Sequence, residues 1–244
     1  MTPSALDLTV LTDATARLGV GVSGQAAALL ERHAALVAAA ASGLNLTRIT
    51  DPEAVAVQHV ADSLACLLVL DPARSLRVAD VGSGAGWPGL ALAIACPAWT
   101  LTLVESTAKK AAFLEHAAGA LGLADRVRVR AERVERVAHE AGFREAHDAA
   151  VARAVAPLAT LAEYLLPLVK IGGTAIAMKG SNTAGERADA RIALERLGGT
   201  HERVMEYTLP GLDRERELVV WEKGLATPDL YPRRTGVPAK NPLR

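Results

Sequence analysis

Aromatic residues are scarce: two Phe, three Tyr and three Trp make up 3% of 244 residues. Proteins that grip single-stranded nucleic acid by stacking successive bases need a platform of such rings, so an extended stacking surface is excluded. Cysteine is scarcer still. Cys66 and Cys96 are the only two, both inside apolar runs ("LACLLVL", "AIACPAW"), which argues for buried thiols in a reducing compartment and against a disulfide framework or a metal site. Excess charge is absent as well: 27 Lys+Arg balance 27 Asp+Glu at a pI near 7.0. No global basic field draws in nucleic acid, and any such contact must come from a local patch. No uninterrupted apolar run approaches the ~18 residues of a membrane span, and the opening "MTPSALDLTV" lacks the basic and apolar regions of a secretory leader. A cytoplasmic protein, without membrane contact and without a metal, is the expectation.

What is plentiful is aliphatic. With 50% hydrophobic residues the chain can bury a full core, and its length suits one domain with an extension. Residues 1–72 read as an Ala-rich helical extension, with helices over 5–18 and 24–41 and a third opening at "TDPEAVAVQHVADSL". There Asp51 suits the N-cap, Pro52 the first helical position and Glu53 the positive end of the helix dipole. Residues 73–224 alternate short Val/Leu-rich runs with helical segments, the pattern of an α/β domain with a mostly parallel sheet. Strands are expected at 77–81, 100–104, 126–130, 149–153, 173–178, 203–208 and 217–221, with helices starting near Trp87, Thr107, Arg133, Pro157 and Thr183. Residues 225–244, "LATPDLYPRRTGVPAKNPLR", read as a basic, Pro-rich extended tail.

The most informative stretch is "VADVGSGAGWPG" at 78–89. A P-loop needs Lys and then Ser or Thr after its last glycine, and neither is present. Gly84, Gly86 and Gly89 do spell G-x-G-x-x-G, yet a strand ending at Val81 makes Gly82 the first loop glycine. The pertinent spelling is then D-x-G-x-G-x-G, over Asp80, Gly82, Gly84 and Gly86. An acid ahead of the first glycine suits a ligand that brings an ammonium group, as S-adenosylmethionine does; a pyrophosphate wants amide N–H groups and no carboxylate. Asp80 is equally suited to capping the following helix. Glu105 ends the second strand about 20 residues on, where doubly wound folds place an acid on a pair of ribose hydroxyls.

Taken together, "NLTRI", "QHVADSL", "DVGSGAGWPG", "KKAAFLEHAAGALGL", "ARAVAPL", "MKG", "ERELVVWEK" and "YPRRTGVPAKNPL" resemble the glucose-inhibited division protein B family. These are bacterial methyltransferases acting on N7 of a guanine in small-subunit (16S) ribosomal RNA. The likeness runs from about residue 44 to the C-terminus. It implies a class I, Rossmann-like methyltransferase fold with a mostly parallel seven-stranded sheet and S-adenosylmethionine as donor. By position it places donor contacts on Gly82, Trp87, Glu105 with Ser106 and Thr107, Val134 with Glu135, and Arg153. "RVE" at 133–135 is preferred to the similar "RAE" at 130–132 because its spacing to "ARAV" fits the family better. Trp87 departs from the smaller residue the family often carries there. A large indole would narrow the methionine side of the pocket.

For that chemistry, what is missing agrees. Guanine N7 has an in-plane lone pair and loses no proton, so no general base is required and no catalytic side chain is named. Methylation of pyrimidine carbon 5 would call for a reactive Cys, and methylation of an exocyclic amine for Asn or Asp before two prolines, where this chain reads "VARAVAPL". Arg153 stands at the carboxyl end of the fourth strand, facing either the ligand or a neighbouring carboxylate. His59 and Asp62 share a helix side, either as a surface pair or, as the resemblance implies, lining the substrate cleft. Lys179 could meet a phosphate or be a strand-end charge. RNA contacts are expected from Arg48 in the loop "NLTRIT" and from Arg233, Arg234, Lys240 and Arg244 in the tail, with recognition of a folded RNA or small subunit by shape. A monomer is expected.

Overall fold

The computed structural model describes residues 5–212 and 215–243. Its strands are β1 (Arg77–Val81), β2 (Thr100–Val104), β3 (Val127–Arg130), β4 (His147–Arg153), β5 (Val169–Gly180), β6 (Gly199–Tyr207) and β7 (Arg216–Lys223). They form one seven-stranded sheet in the order β3-β2-β1-β4-β5-β7-β6. β1 to β5 pair in parallel, while β7 runs antiparallel to both β5 and β6. The strands read as unbroken apolar runs because both faces are covered. On one face lie Val78, Leu101, Val151, Ile176 and Val220; on the other their sequence neighbours Ala79, Ala150, Ala177, Val219 and Trp221. That is the two-residue period of a pleated strand.

The first face is covered by α1 (Leu8–Arg17), α2 (Gly24–Leu44), α3 (Pro52–Val55), a π-helical segment Ala56–Ala61, α4 (Asp62–Leu64) and a 3-10 turn Ala65–Leu68, with α5 (Gly89–Ala95) and α6 (Ala108–Ala120). The opposite face takes α7 (Val134–Val137), α8 (Leu158–Leu165), α9 (Ala184–Leu197) and the tail, which includes α10 (Val237–Lys240). Asp51 caps α3 as its sequence suggests, accepting from Ala54 N–H at 2.9 Å, with Pro52 in the first turn. The π segment that follows was not expected. It carries His59, and Asp62 opens α4 directly after it; both face Arg153 of β4.

β5 and β6 each begin four residues before the sequence suggests, at Val169 and Gly199. Gly173 breaks the apolar pattern but is needed, since a Cβ there would meet the Asp148 carbonyl oxygen at 2.6 Å. The residues after Gly224 do not trail into solvent. Tyr231 and Leu243 are buried against the α7 and α8 face. Arg144 donates to the carbonyls of Tyr231 at 2.8 Å and Thr227 at 2.7 Å. Its few large apolar side chains give this segment somewhere to dock.

Candidate functional site

The strand order reverses between β1 and β4, which opens a crevice at their carboxyl ends, the usual ligand position in open α/β sheets. There the chain leaves β1 through the glycine loop and leaves β4 through residues 154–156. The two loops touch: a Cβ on Gly82, whose φ is +75°, would stand 2.6 Å from Val155 Cγ2. Only glycine serves there, for both backbone angle and space. Gly84 differs. With φ +55°, its Cβ direction is open apart from the Gly82 carbonyl at 3.8 Å, so the backbone there suits close approach by a ligand.

A cleft runs from Gly82 past Glu105 and Ser106 to Val134 and Glu135, roofed by Val155 and Tyr164. Five expected donor-site residues share this one wall. Glu105 is buried and accepts from Gly84 N–H at 3.1 Å and Thr107 N–H at 2.7 Å, one bond to each carboxylate oxygen. A carboxylate has about four acceptor sites, so two remain for ligand hydroxyls. Thr107 itself stands at the N-cap of α6. Glu135 accepts from Gly236 N–H of the tail at 2.9 Å, and its charge acts on the Tyr164 phenol. Burial and the Glu135 charge push that phenol up to about 12. Apolar flanks for a ring, an acid for a diol and glycine backbone for a charged end fit an S-adenosyl group.

Asp80 does not face that cleft. It is fully buried, and its Oδ2 accepts from Gly89 N–H at 2.9 Å at the start of α5, while Oδ1 has no hydrogen-bond partner among the described residues. Of the two roles open in the sequence, the structure gives it the helix cap. Burial raises its carboxyl to about 6. Trp87 likewise turns away from the cleft. Its indole is 5% exposed and lies between His33, ring centres 3.9 Å apart, and His59, 5.9 Å and nearly parallel. It packs into the helical extension and is not among the side chains that line the cleft.

Arg153 is tied to the helices beside the sheet. Its Nη1 donates to Asp62 Oδ2 at 2.9 Å and to the Gln58 carbonyl at 3.0 Å, leaving it part of a clamp between β4 and the π segment. The neighbouring-carboxylate role is the one observed. Asp62 is 1% exposed and also accepts from the Tyr207 hydroxyl at 2.8 Å, so it lines no cleft. His59 is half-buried and bonds Thr47 Oγ1 at 2.7 Å. Burial, and then the Arg153 charge, hold its imidazole down at about 4.

Among the basic candidates, Lys179 pairs with Glu186 at 2.8 Å. Arg233 forms a two-pronged pair with Glu163, which is fully buried, so it is a docking residue of the tail and not a free phosphate contact. Arg48, Arg234 and Lys240 are exposed. Arg244 lies outside the described residues. Sequence reasoning missed His33, which bonds the Ala85 carbonyl from α2 at 2.8 Å and is held at about 4 by burial. Its only local signal is a polar residue on the buried Leu30, Ala34, Val37 stripe.

A family model for rRNA small subunit methyltransferase G, GidB, matches residues 26–219. The chain belongs to this family. Curated relatives agree along nearly its whole length. The ribosomal RNA small subunit methyltransferase G of Rubrobacter xylanophilus is 47% identical over 230 residues, 93% of this chain and 87% of its own. That of a Roseiflexus species is 48% identical over 212 residues, 87% and 89%. Among solved structures, geranyl diphosphate C-methyltransferase from Streptomyces coelicolor superposes with a TM-score of 0.51 at 14% identity, over 67% of this chain and 78% of that one. That likeness is of fold alone. The family, the class I fold and the use of S-adenosylmethionine implied by the motifs from "NLTRI" to the tail are thereby met.

Proposed function

We propose that this rRNA small subunit methyltransferase G family member transfers the methyl group of S-adenosylmethionine to N7 of a guanine in 16S ribosomal RNA. The observation that carries the reading is the cleft at the strand reversal, where Gly82, Glu105, Ser106, Val134 and Glu135 share one wall. The donor, when bound, supplies a methyl on a positively charged sulfur that already leaves readily. What remains for the protein is alignment of nucleophile, methyl carbon and sulfur.

The side chains around the crevice support a target that gives up no proton. His59, Arg153 and Asp62 are committed to one another and to Thr47, Gln58 and Tyr207. None stands free as a base. Both thiols are buried and held protonated, Cys96 pushed up to about 12 by burial and Cys66 higher by the same cause, which leaves no nucleophile for carbon methylation. Arg48, Arg234 and Lys240 supply exposed cations for phosphate. A cytoplasmic monomer acting on RNA or on the small subunit goes with this reading.

The test incubates the protein with radiolabelled donor and, separately, 16S RNA, small subunits and cell metabolites. Label in RNA, mapped to guanine N7, is expected. Label in metabolites alone would make it a small-molecule methyltransferase, and none anywhere a binding protein for the donor.

A further inference from the structure

Arg48 is the exposed cation closest in sequence to the crevice cluster, and the residues on either side of it are tied down. Ile49 N–H donates to Thr47 Oγ1 at 3.0 Å, closing a tight turn around Arg48. The same Thr47 oxygen meets His59 Nε2 at 2.7 Å. On the other side of the ring, His59 Nδ1 faces Arg153 Nη2 at 3.5 Å. A guanidinium only donates, so Nδ1 must be the acceptor, and a neutral ring then carries its proton on Nε2. His59 therefore donates to Thr47, whose oxygen takes two hydrogens at once. The imidazole is kept neutral by burial and by the Arg153 charge, as this arrangement demands.

The line continues beyond Arg153. Its guanidinium is fixed by Asp62 at 2.9 Å, and Asp62 by Tyr207 of β6. Along the backbone it leads through Ala154, held at φ +57°, to Val155 packed on Gly82 at the donor cleft. A left-handed conformation is costly for a residue with a Cβ, so the surroundings impose this turn. One continuous set of contacts thus joins the donor-side loop to the Arg48 loop. Arg48 itself is exposed, and no ion pair is made with it among the described residues.

We propose that Thr47 is a positioning residue for the RNA substrate, holding the loop so that Arg48 meets a phosphate beside the target base, with His59 and Arg153 as its support. This rests on ribosomal RNA being the substrate. A side chain acting only on structure would change stability; one acting through Arg48 must change RNA engagement, and must do so through Arg48.

The test is a double-mutant cycle on Thr47→Val and Arg48→Ala, with Thr47→Ser as the conservative variant. Methyl transfer to small subunits gives kcat and KM, calorimetry gives donor Kd, and thermal melting checks that each variant is folded. Thr47→Val is expected to raise KM about tenfold, the weight of one phosphate contact, and to flatten the salt dependence by about one unit of slope. Donor Kd and kcat should stay within about twofold, and Thr47→Ser should recover the KM. In Arg48→Ala, adding Thr47→Val should cost nothing further. Additive losses, or a wild-type KM in a folded Thr47→Val protein, would overturn the proposal. If the wild-type protein methylates no ribosomal RNA, the substrate reading fails and the proposal with it; normal wild-type transfer separates the two failures.

Discussion

His33 Nε2 lies 2.8 Å from the carbonyl oxygen of Ala85, so a helix of the N-terminal extension holds the glycine loop by a buried hydrogen bond. The ring donates, because a carbonyl can only accept. The extension therefore supports the glycine loop, although none of its described residues lines the cleft.

Replacing His33 by Leu keeps the bulk and removes the donor. The Ala85 carbonyl would be left unpaired beneath the loop, at a cost to stability of ~1–3 kcal/mol. Gly82 and Gly84 lie just ahead in the same loop, so donor affinity should fall several-fold as well. Calorimetry with S-adenosylmethionine measures this. An unchanged Kd in a destabilised protein would mean that the loop holds its own shape.

The contrast between the legible and the hidden parts of this site follows from range. β1 and β2 stand at the residues expected from apolar runs ended by Gly82 and by Glu105, because a run between breakers is a local signal. Gly82, Glu105, Ser106, Val134 and Glu135 were readable because each follows a strand, and strand ends converge in this topology. Arg153 with Asp62, Tyr207 with Asp62 and His33 with Ala85 lie 91, 145 and 52 residues apart. No local pattern encodes such pairings. The tail misled for a related reason: proline and cations describe its backbone and solvation, whereas its docking depends on Tyr231, Leu243 and a buried Glu163 far away in sequence.

Stability should carry the mark of His33, buried, and His59, half-buried, as pH falls. His33 and His59 titrate at about 4 when folded against 6.5 as the ordinary value, so between these limits the unfolded chain binds more protons. Each then makes stability fall with decreasing pH by about 1.4 kcal/mol per unit. Asp80 works the other way. Its carboxyl, raised from 3.8 to about 6 by burial, binds a proton sooner in the folded state and offsets one histidine below about pH 6. Denaturant titrations between about pH 5 and 7 should show stability rising with pH, less steeply for His33→Leu. An identical slope in the variant would place the imidazole in contact with water.

Asp80→Asn tests what the acid ahead of the glycines is for. An amide oxygen still accepts from Gly89 N–H, so the start of α5 stays capped. The buried charge, disfavoured by desolvation, is gone. We expect the variant to be at least as stable as the parent above about pH 6 and to bind the donor within about threefold. A loss of donor affinity beyond about tenfold, in a folded protein, would return the carboxylate to a direct role with the ammonium group.

Arg233 and Arg234 are adjacent yet should behave as different kinds of residue. Arg233 forms bonds of 2.9 Å and 2.6 Å with Glu163, a carboxylate with no exposed surface, and so fastens the tail to α8. Nearby, Gly236 N–H reaches Glu135 on the cleft wall at 2.9 Å and Thr160 bonds the Pro238 carbonyl at 3.1 Å. Arg233→Ala leaves the buried Glu163 carboxylate without its cation and with only the backbone N–H of residue 233, at 2.7 Å, to donate to it, which costs about 3 kcal/mol, and by loosening Gly236 it should weaken donor binding too. Pairing it with Glu163→Leu should restore most of the stability, since the stranded charge is then removed. Arg234 is exposed, and Arg234→Ala should leave melting and donor Kd alone while flattening the salt dependence of RNA binding by about one unit of slope. Melting, calorimetry and salt-titrated RNA binding on the three variants decide it. If Arg233→Ala melts like the parent, the tail is not anchored there. If Arg234→Ala leaves the salt slope untouched, the exposed tail cation is not on the RNA.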